Sequence, residues 1–264
     1  MRSIVCRYEH FTTDWYLKQS KALLFNNALD DRTASHRKNW EWAAITQALE
    51  DADMLRPDRK GLGFAVGTEL LPSVFAARGV HILATDRAEP GHWAETGQHG
   101  TGLDPLFQPS LLSERDFRSR VRFEPVDMNK IDHLPSSAFD FLWSSCAIEH
   151  VGSLELAMDF VKNSMRLLKR GGIAVHTTEF NCSSNTDTVE VGDNVVFRRR
   201  DIERLAGDLL LMRCGMIEPD FECGVHPFDL DYDEPPFFTG KRMHVKLLID
   251  GFVATSFLMV IHKS

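Results

Sequence analysis

Gly61, Gly63 and Gly67 punctuate an apolar stretch, and Asp86 closes the next one, in the run KGLGFAVGTELLPSVFAARGVHILATD that spans residues 60–86. Glycines let a backbone approach a ligand closely, and a carboxylate at the end of a strand can accept both hydroxyl protons of a ribose. Residues of these types in this order suit the adenosine part of a cofactor. Farther along, His150 and the pair His176 and Glu179 offer side chains that can take a proton from a reacting group, with His99 a third place to look. His226, Asp229, Asp231 and Asp233 form an acidic run that either holds a hard cation such as Mg²⁺ or Ca²⁺ or is a solvated loop. The aromatic residues Phe228, Tyr232, Phe237 and Phe238 around that run could cover a bound molecule.

The elements that must position these groups follow from periodicity. Residues 60–86 read as strand, turn, helix and strand, the helix carrying Leu70, Leu71, Val74 and Phe75 at helical spacing. A third strand runs through Val121–Val126 and ends in Asp127-Met128, and a fourth, Phe139–Trp143, delivers Ser144 to Val151. The helix after it carries Leu154, Ala157, Met158, Val161, Met165 and Leu168. It is expected to end at Lys169-Arg170-Gly171-Gly172, where cations meet the helix dipole and glycine permits a left-handed cap. A fifth strand covers Ile173–Thr177, and Ile202, Leu205, Leu209 and Leu210 mark another helix over 200–212. Two apolar strands, Val245–Ile249 and Phe252–Ile261, flank Asp250-Gly251, a strong hairpin signal. The segment from Arg87 to Asp116, with Trp93 and Gly97-Gln98-His99-Gly100, lacks periodicity, and a connection this long is usually functional or partly helical.

Composition sets the remaining bounds. With 264 residues, 43% of them hydrophobic, the chain can bury one α/β core with extensions. Residues 1–58 read as an N-terminal helical extension or lid and 59–264 as the main domain. Trp40 and Trp42 either pack on the core or, with His36, Arg37 and Lys38, cover a ligand. The net charge of -8 and the interspersed basic residues speak against nucleic acid, and Arg198-Arg199-Arg200 sits among acids as a helix start. Five cysteines, none in a C-x-x-C pair, point away from a zinc module or a secreted disulfide frame. With no signal-peptide core and no membrane span, a cytoplasmic protein with reduced thiols is expected.

Two cofactor classes share such a beginning. A dinucleotide fold needs G-x-G-x-x-G and continued βαβ alternation to a sixth strand, whereas here the glycine spacing is G-x-G-x-x-x-G and the last two strands have no helix between them. From Lys60 to Lys263 the chain resembles the class I S-adenosylmethionine-dependent methyltransferases. Their nucleotide loop carries D/E-x-G-x-G-x-G; here Gly63 stands in place of the acid, Ala65 in place of the first glycine and Glu69 in place of the last. Asp86 corresponds to the ribose-binding acid, and Asp127-Met128 to the pair that meets the adenine. Ser144-Ser145-Cys146 corresponds to the segment beside the methionyl part. Glu149-His150-Val151 is similar to the family's E-H-V signature, and Leu167 to Gly172 to its L-L-K-P-G-G turn.

The resemblance implies an α/β, Rossmann-like three-layer sandwich, with a seven-stranded, mostly parallel sheet and a C-terminal antiparallel hairpin. It implies S-adenosyl-L-methionine held by Gly63, Phe64, Ala65, Gly67, Thr68, Asp86, Arg87, Asp127, Met128, Ser144, Ser145 and Cys146. The implied activity is methyl transfer to a small molecule or glycan, O-methylation first, with His150, Glu179 and His176 as candidate bases and no resident metal. No nucleic-acid or membrane partner is expected, and a homo-oligomer stays open. The competing readings are a non-catalytic relative that binds or scaffolds and a nicotinamide-dependent oxidoreductase.

Overall fold

The computed structural model describes residues 1–24, 36–89, 99–237, 239 and 242–264. Trp93, Gly97, Gln98 and Phe238 therefore lie outside the described residues. In chain order the strands are β1 (Ile4–Val5), β2 (Lys60–Phe64), β3 (His81–Asp86), β4 (Val121–Pro125), β5 (Phe139–Ser144), β6 (Gly152–Ser153), β7 (Leu168–Asn181), β8 (Val191–Gly192), β9 (Cys214–Met216), β10 (Leu247–Ile249) and β11 (Phe252–Lys263). The helices are α1 (Asp14–Ala22), α2 (Arg37–Asp51), α3 (Leu71–Ala77), α4 (Glu114–Arg120), α5 (Leu154–Ser164), α6 (Arg199–Leu211) and α7 (Pro227–Leu230).

The main sheet runs β4-β3-β2-β5-β7-β11, the first five strands parallel and β11 antiparallel to β7. Side chains alternate across it. Phe141, Trp143 and Val175 point into a core shared with α2 and α3, whose Trp40, Leu49 and Phe75 are buried there. Leu142, Phe64 and Ala174 point into the other core, shared with α5 and α6. These two layers of helices on one twisted sheet are the expected three-layer sandwich. The hairpin is present as well, since Asp250 (φ +48°) and Gly251 (φ +87°) turn β10 into β11.

Three details differ from the sequence reading. A short strand, β9, joins the far end of β11 by pairing Cys214–Met216 with Ile261–Lys263, whereas β10 reaches only the first residues of β11. A three-residue strand is too short for its alternation to stand out. Second, α5 ends at Ser164, and Lys169 to Gly172 bulge out of β7 between the pairs Phe139–Leu168 and Phe141–Ile173. Gly171 has the left-handed φ of +76°, but as part of a bulge and not of a helix cap. Third, β1 from the N-terminal region, read as helical, joins the sheet by pairing Ile4 and Val5 with Leu258 and Phe257. The α2 helix packs on β7 and β11, one of the two arrangements read for its tryptophans. Trp40 is buried in that packing and Trp42 half-buried. Arg198 is buried at the start of α6, where it pairs with Asp201 and Glu190, while Arg199 and Arg200 are exposed.

Candidate functional site

Two groups of polar residues sit at the C-terminal edge of the parallel strands, where open α/β sheets bind ligands. The first is the turn after β2. Ala65 (φ +48°) and Gly67 (φ +53°) are both left-handed there, so an alanine carries backbone strain that a glycine would not. The turn is pinned to β3, with Val66 N–H donating to Thr85 O (3.0 Å) and Thr85 Oγ1 to Gly63 O (2.8 Å). Asp86 is buried at the end of β3. Its Oδ2 accepts from Gly67 N (3.2 Å) and Gly100 N (2.9 Å), and its Oδ1 from Arg87 N (2.8 Å). Gly100 must be glycine, because a Cβ there would lie 2.4 Å from the Gly67 carbonyl oxygen. His99 lies 3.7 Å from Asp86, beside the turn after β2 and not at the ends of β5 and β7. The Arg87 side chain is exposed. After β4, Asp127 is exposed and accepts from Asn129 N, while Met128 is buried beside it.

The missing loop acid at Gly63 has a packing cause. Gly63 pairs with Trp143 across β2 and β5, and a Cβ on it would come within 2.4 Å of the Trp143 ring and 2.6 Å of Val66. The indole therefore occupies the room that an acidic side chain would need. Trp143 Nε1 in turn donates to Glu69 Oε1 at 2.6 Å. The loop thus keeps a carboxylate, moved from its first position to its last. Glu69 is buried, and burial, with Asp86 adding to it against the indole bond, pushes its carboxyl up to about 8. No cation lies within ion-pair distance of it among the described residues.

The second group gathers where β5 and β7 end beneath the start of α2. Glu41, fully buried, accepts from Ser256 Oγ (2.5 Å), Cys146 Sγ (3.0 Å), Ser145 Oγ (3.1 Å) and Thr177 Oγ1 (3.3 Å), with Lys38 Nζ at 3.4 Å. Burial alone would raise its carboxyl, but Lys38, Arg37 and the donated hydrogen bonds outweigh burial and bring it to about 2. Arg37 reaches from the same helix to Glu179 (2.5 Å) and Ser256 Oγ (3.0 Å). Cys146 takes a left-handed backbone (φ +42°), and its amide donates to Thr177 Oγ1 (2.9 Å). Burial, reinforced by Glu149 and Glu41, raises this thiol well above its ordinary range, so it stays a neutral donor. Burial and then Glu179 push Glu149 up to about 8.

The structure separates the candidate bases. Glu179 lies in the cluster on the α2 face of the sheet. His176 faces the other way, fully buried, with Nδ1 2.8 Å from Ser144 Oγ and its ring edge-on to Phe160. Burial lowers it to about 3, so its imidazole is neutral, and its side chain has no exposed surface. His150 donates through Nδ1 to Asp193 O, and its Nε2 lies 3.9 Å from Glu149. The sequence reading did not single out Glu41, Thr177 or Ser256 and used Glu149 only as a signature letter. Arg37 and Glu41 at i, i+4 were the one local sign that a face of α2 carries paired charge. The acidic run after Gly224 does not converge: Asp229 pairs with Lys246, Asp231 with Arg242, and Asp233 with His244.

Residues 62–176 match the family model described as a methyltransferase domain. Among solved structures, the chain is similar to an S-adenosylmethionine-dependent methyltransferase from Mesorhizobium loti (TM-score 0.51, 13% identity, covering 84% of this chain and 97% of that one). It is similar to 1,6-didemethyltoxoflavin-N1-methyltransferase from Burkholderia thailandensis, solved with 1,6-didemethyltoxoflavin and S-adenosylhomocysteine (0.51, 14%, 98% and 92%). A third is magnesium protoporphyrin IX methyltransferase from Synechocystis PCC 6803, solved with S-adenosylmethionine (0.52, 10%, 97% and 95%). At these identities the likeness is one of fold. No curated protein sequence matches the chain. The resemblance read from the sequence is upheld: the chain carries the methyltransferase-domain pattern and the class I methyltransferase fold.

Proposed function

We propose that the protein is an S-adenosylmethionine-dependent methyltransferase acting on a small molecule or glycan, with a hydroxyl as acceptor. The observation that carries the cofactor is the methyltransferase-domain match over a strand, glycine turn and helix that ends its second strand in a buried acid. The residues fit such a ligand. Asp86 presents a carboxylate whose Gly100 N–H partner a ribose hydroxyl can replace, Met128 offers an apolar surface for adenine, and Asp127, exposed at the rim beside Lys130, can accept from an amino group. Phe64, Ala65, Gly67 and Thr68 form the turn that would face the nucleoside, and Ser144 to Cys146 the segment beside the methionyl part. Glu69, buried and protonated near neutral pH in the ligand-free protein, would have to give up that proton to pair with the positive charge that this cofactor carries.

When bound, the cofactor supplies a methyl group on a sulfonium, open to in-line displacement. The chain's own work is to position an acceptor and to receive its proton. An aliphatic hydroxyl demands a base, and Glu179 at the end of β7 supports this reading. The named small-molecule activities of two structural neighbours support an acceptor of that size. The net charge of -8 supports a non-nucleic-acid acceptor, and five unpaired cysteines support a reducing compartment. No helix among the described residues is long and apolar enough to cross a membrane.

A non-catalytic relative is favoured by one observation, that Gly100 N–H already takes the ribose-facing oxygen of Asp86. Calorimetric titration separates the two. Wild type should bind S-adenosylhomocysteine and S-adenosylmethionine, and Asp86→Ala should lose at least about tenfold in affinity, on the order of 1.4 kcal/mol. Folded wild type that binds neither sinks the cofactor assignment; binding with no methyl transfer across a panel of hydroxyl and amine acceptors supports the non-catalytic reading. The nicotinamide reading lacks a sixth parallel strand, since β11 runs antiparallel to β7.

A further inference from the structure

In the cluster beneath α2 two buried carboxylates each keep one oxygen without a hydrogen-bond partner. Glu149 Oε2 accepts from Thr178 Oγ1 at 3.3 Å, but Oε1 has no hydrogen bond, its nearest cationic candidate being His150 Nε2 at 3.9 Å. Glu179 Oε1 pairs with Arg37 at 2.5 Å, but Oε2 has no partner. An oxygen of each and the Cys146 sulfur lie within 4.8 Å of one another, all buried. Two ionised carboxylates this close in a low-dielectric site repel strongly, and an orphaned buried acceptor costs about 1–3 kcal/mol. A single proton on the pair removes the repulsion.

Charge balance across the surrounding elements supports one proton. From α2 come Arg37 and Lys38, both cationic, and Glu41, ionised. The loop after β5 brings Cys146, a neutral thiol, and His150, held on the Asp193 carbonyl. From β7 come Glu179 and the Thr178 hydroxyl. Two cations offset Glu41 and one further carboxylate, and the remaining carboxyl is balanced only when protonated. A metal cation would have to sit beside the Arg37 guanidinium, which lies 3.7 Å from Cys146 and 2.5 Å from Glu179, and that repulsion disfavours it.

We propose that Glu149 and Glu179 share one proton as an acid–carboxylate pair, and that the ionised member receives the proton of the methyl acceptor. The shared proton stands on the apo structure, while its use as a proton acceptor rests on the methyl-transfer reading. In that step the acceptor's O–H proton goes to the carboxylate, an oxygen electron pair forms the O–CH₃ bond, and the electron pair of the broken C–S bond stays on sulfur. The pair then carries two protons and returns one to water. Glu149 becomes a functional residue alongside Glu179, holding its proton while Arg37 pairs with Glu179.

Infrared spectroscopy of the ligand-free protein reads the proton directly. Glu69 also holds a proton near neutral pH, so the Glu69→Gln protein is the reference. At pH 7 it should show a carboxylic-acid carbonyl band that shifts in D₂O, and E69Q/E149Q should lose that band completely while keeping its circular dichroism. A band that survives in E69Q/E149Q, or one stoichiometric metal ion in the isolated protein that is lost in Cys146→Ser, overturns the proposal. Should E149Q fail to fold, ¹³C-glutamate carboxyl resonances of E69Q decide: one protonated glutamate at pH 7 supports the pair, none overturns it. Because neither cofactor nor acceptor is present, a failed S-adenosylmethionine titration would sink the methyl-transfer reading without touching this result.

Discussion

The turn after β2 and the cluster beneath α2 lie at the same edge of one sheet and are held together in opposite ways. Asp86 is satisfied by backbone donors at Gly67, Arg87 and Gly100, whereas Glu41 is satisfied by side chains of α2, β7, β11 and the loop after β5. Backbone donors follow from the path of the chain and persist when side chains change. A carboxylate held by side chains depends on all of them at once. The first arrangement suits a site that must release one donor to a ligand, and the second suits a rigid wall that holds charge in place.

Glu41→Ala should break the comparison most severely. It leaves Arg37, Lys38 and four donors without their acceptor, and a midpoint shift in urea unfolding should report about 3–5 kcal/mol of lost stability. In the turn, Gly63→Ala forces a methyl group into the Trp143 ring, and thermal unfolding should show a smaller loss of about 1–3 kcal/mol. Restoring the acid usual in the family by Gly63→Asp should fare no better, which tests whether the indole is what excludes it.

Glu69 in the turn and Glu41 in the cluster should also respond to pH in opposite senses. Glu69 is raised from 4.5 to about 8, so the folded state holds its proton more tightly than the unfolded state. That contribution is complete below pH 4.5 and is lost as pH rises through 8. Glu41 is lowered from 4.5 to about 2, so its contribution is complete above pH 4.5 and is lost as pH falls toward 2. Glu69→Gln should therefore flatten the fall in melting temperature on the alkaline side and leave the acid side unchanged. Equal flattening on both sides would show that the two carboxylates are not independent. The smallest effect is expected from Ala65→Gly, which relieves a left-handed alanine and should add about 0.5–1 kcal/mol after the entropy cost of glycine.

The turn was far more legible than the cluster. Strands β2 to β5, the glycine turn, Asp86 and Asp127-Met128 all stand in the order the resemblance requires, because strand alternation, helix spacing and turn chemistry act between near neighbours in the chain. Even the departure at Gly63 was visible as a departure. What no local pattern could show was its cause, since Trp143 reaches Gly63 only when β5 pairs with β2. The cluster is less readable still. Glu41 meets Ser145, Thr177 and Ser256, each more than a hundred residues away, and Arg37 meets Glu179 by the same long return of the chain.

His176 and Glu179 illustrate the division between chain and fold. Their separation along β7 puts them on opposite faces, a matter of strand geometry alone. Which face meets the α2 charges and which meets the α5 core depends on where the N-terminal helix docks, and there the sequence offered two open readings, a lid or a packed helix. Local patterning therefore determined the elements and the acids at their ends. Tertiary structure decided which charges neutralise one another, because electrostatic partners in a buried site are chosen by distance in space and by the loss of water around them.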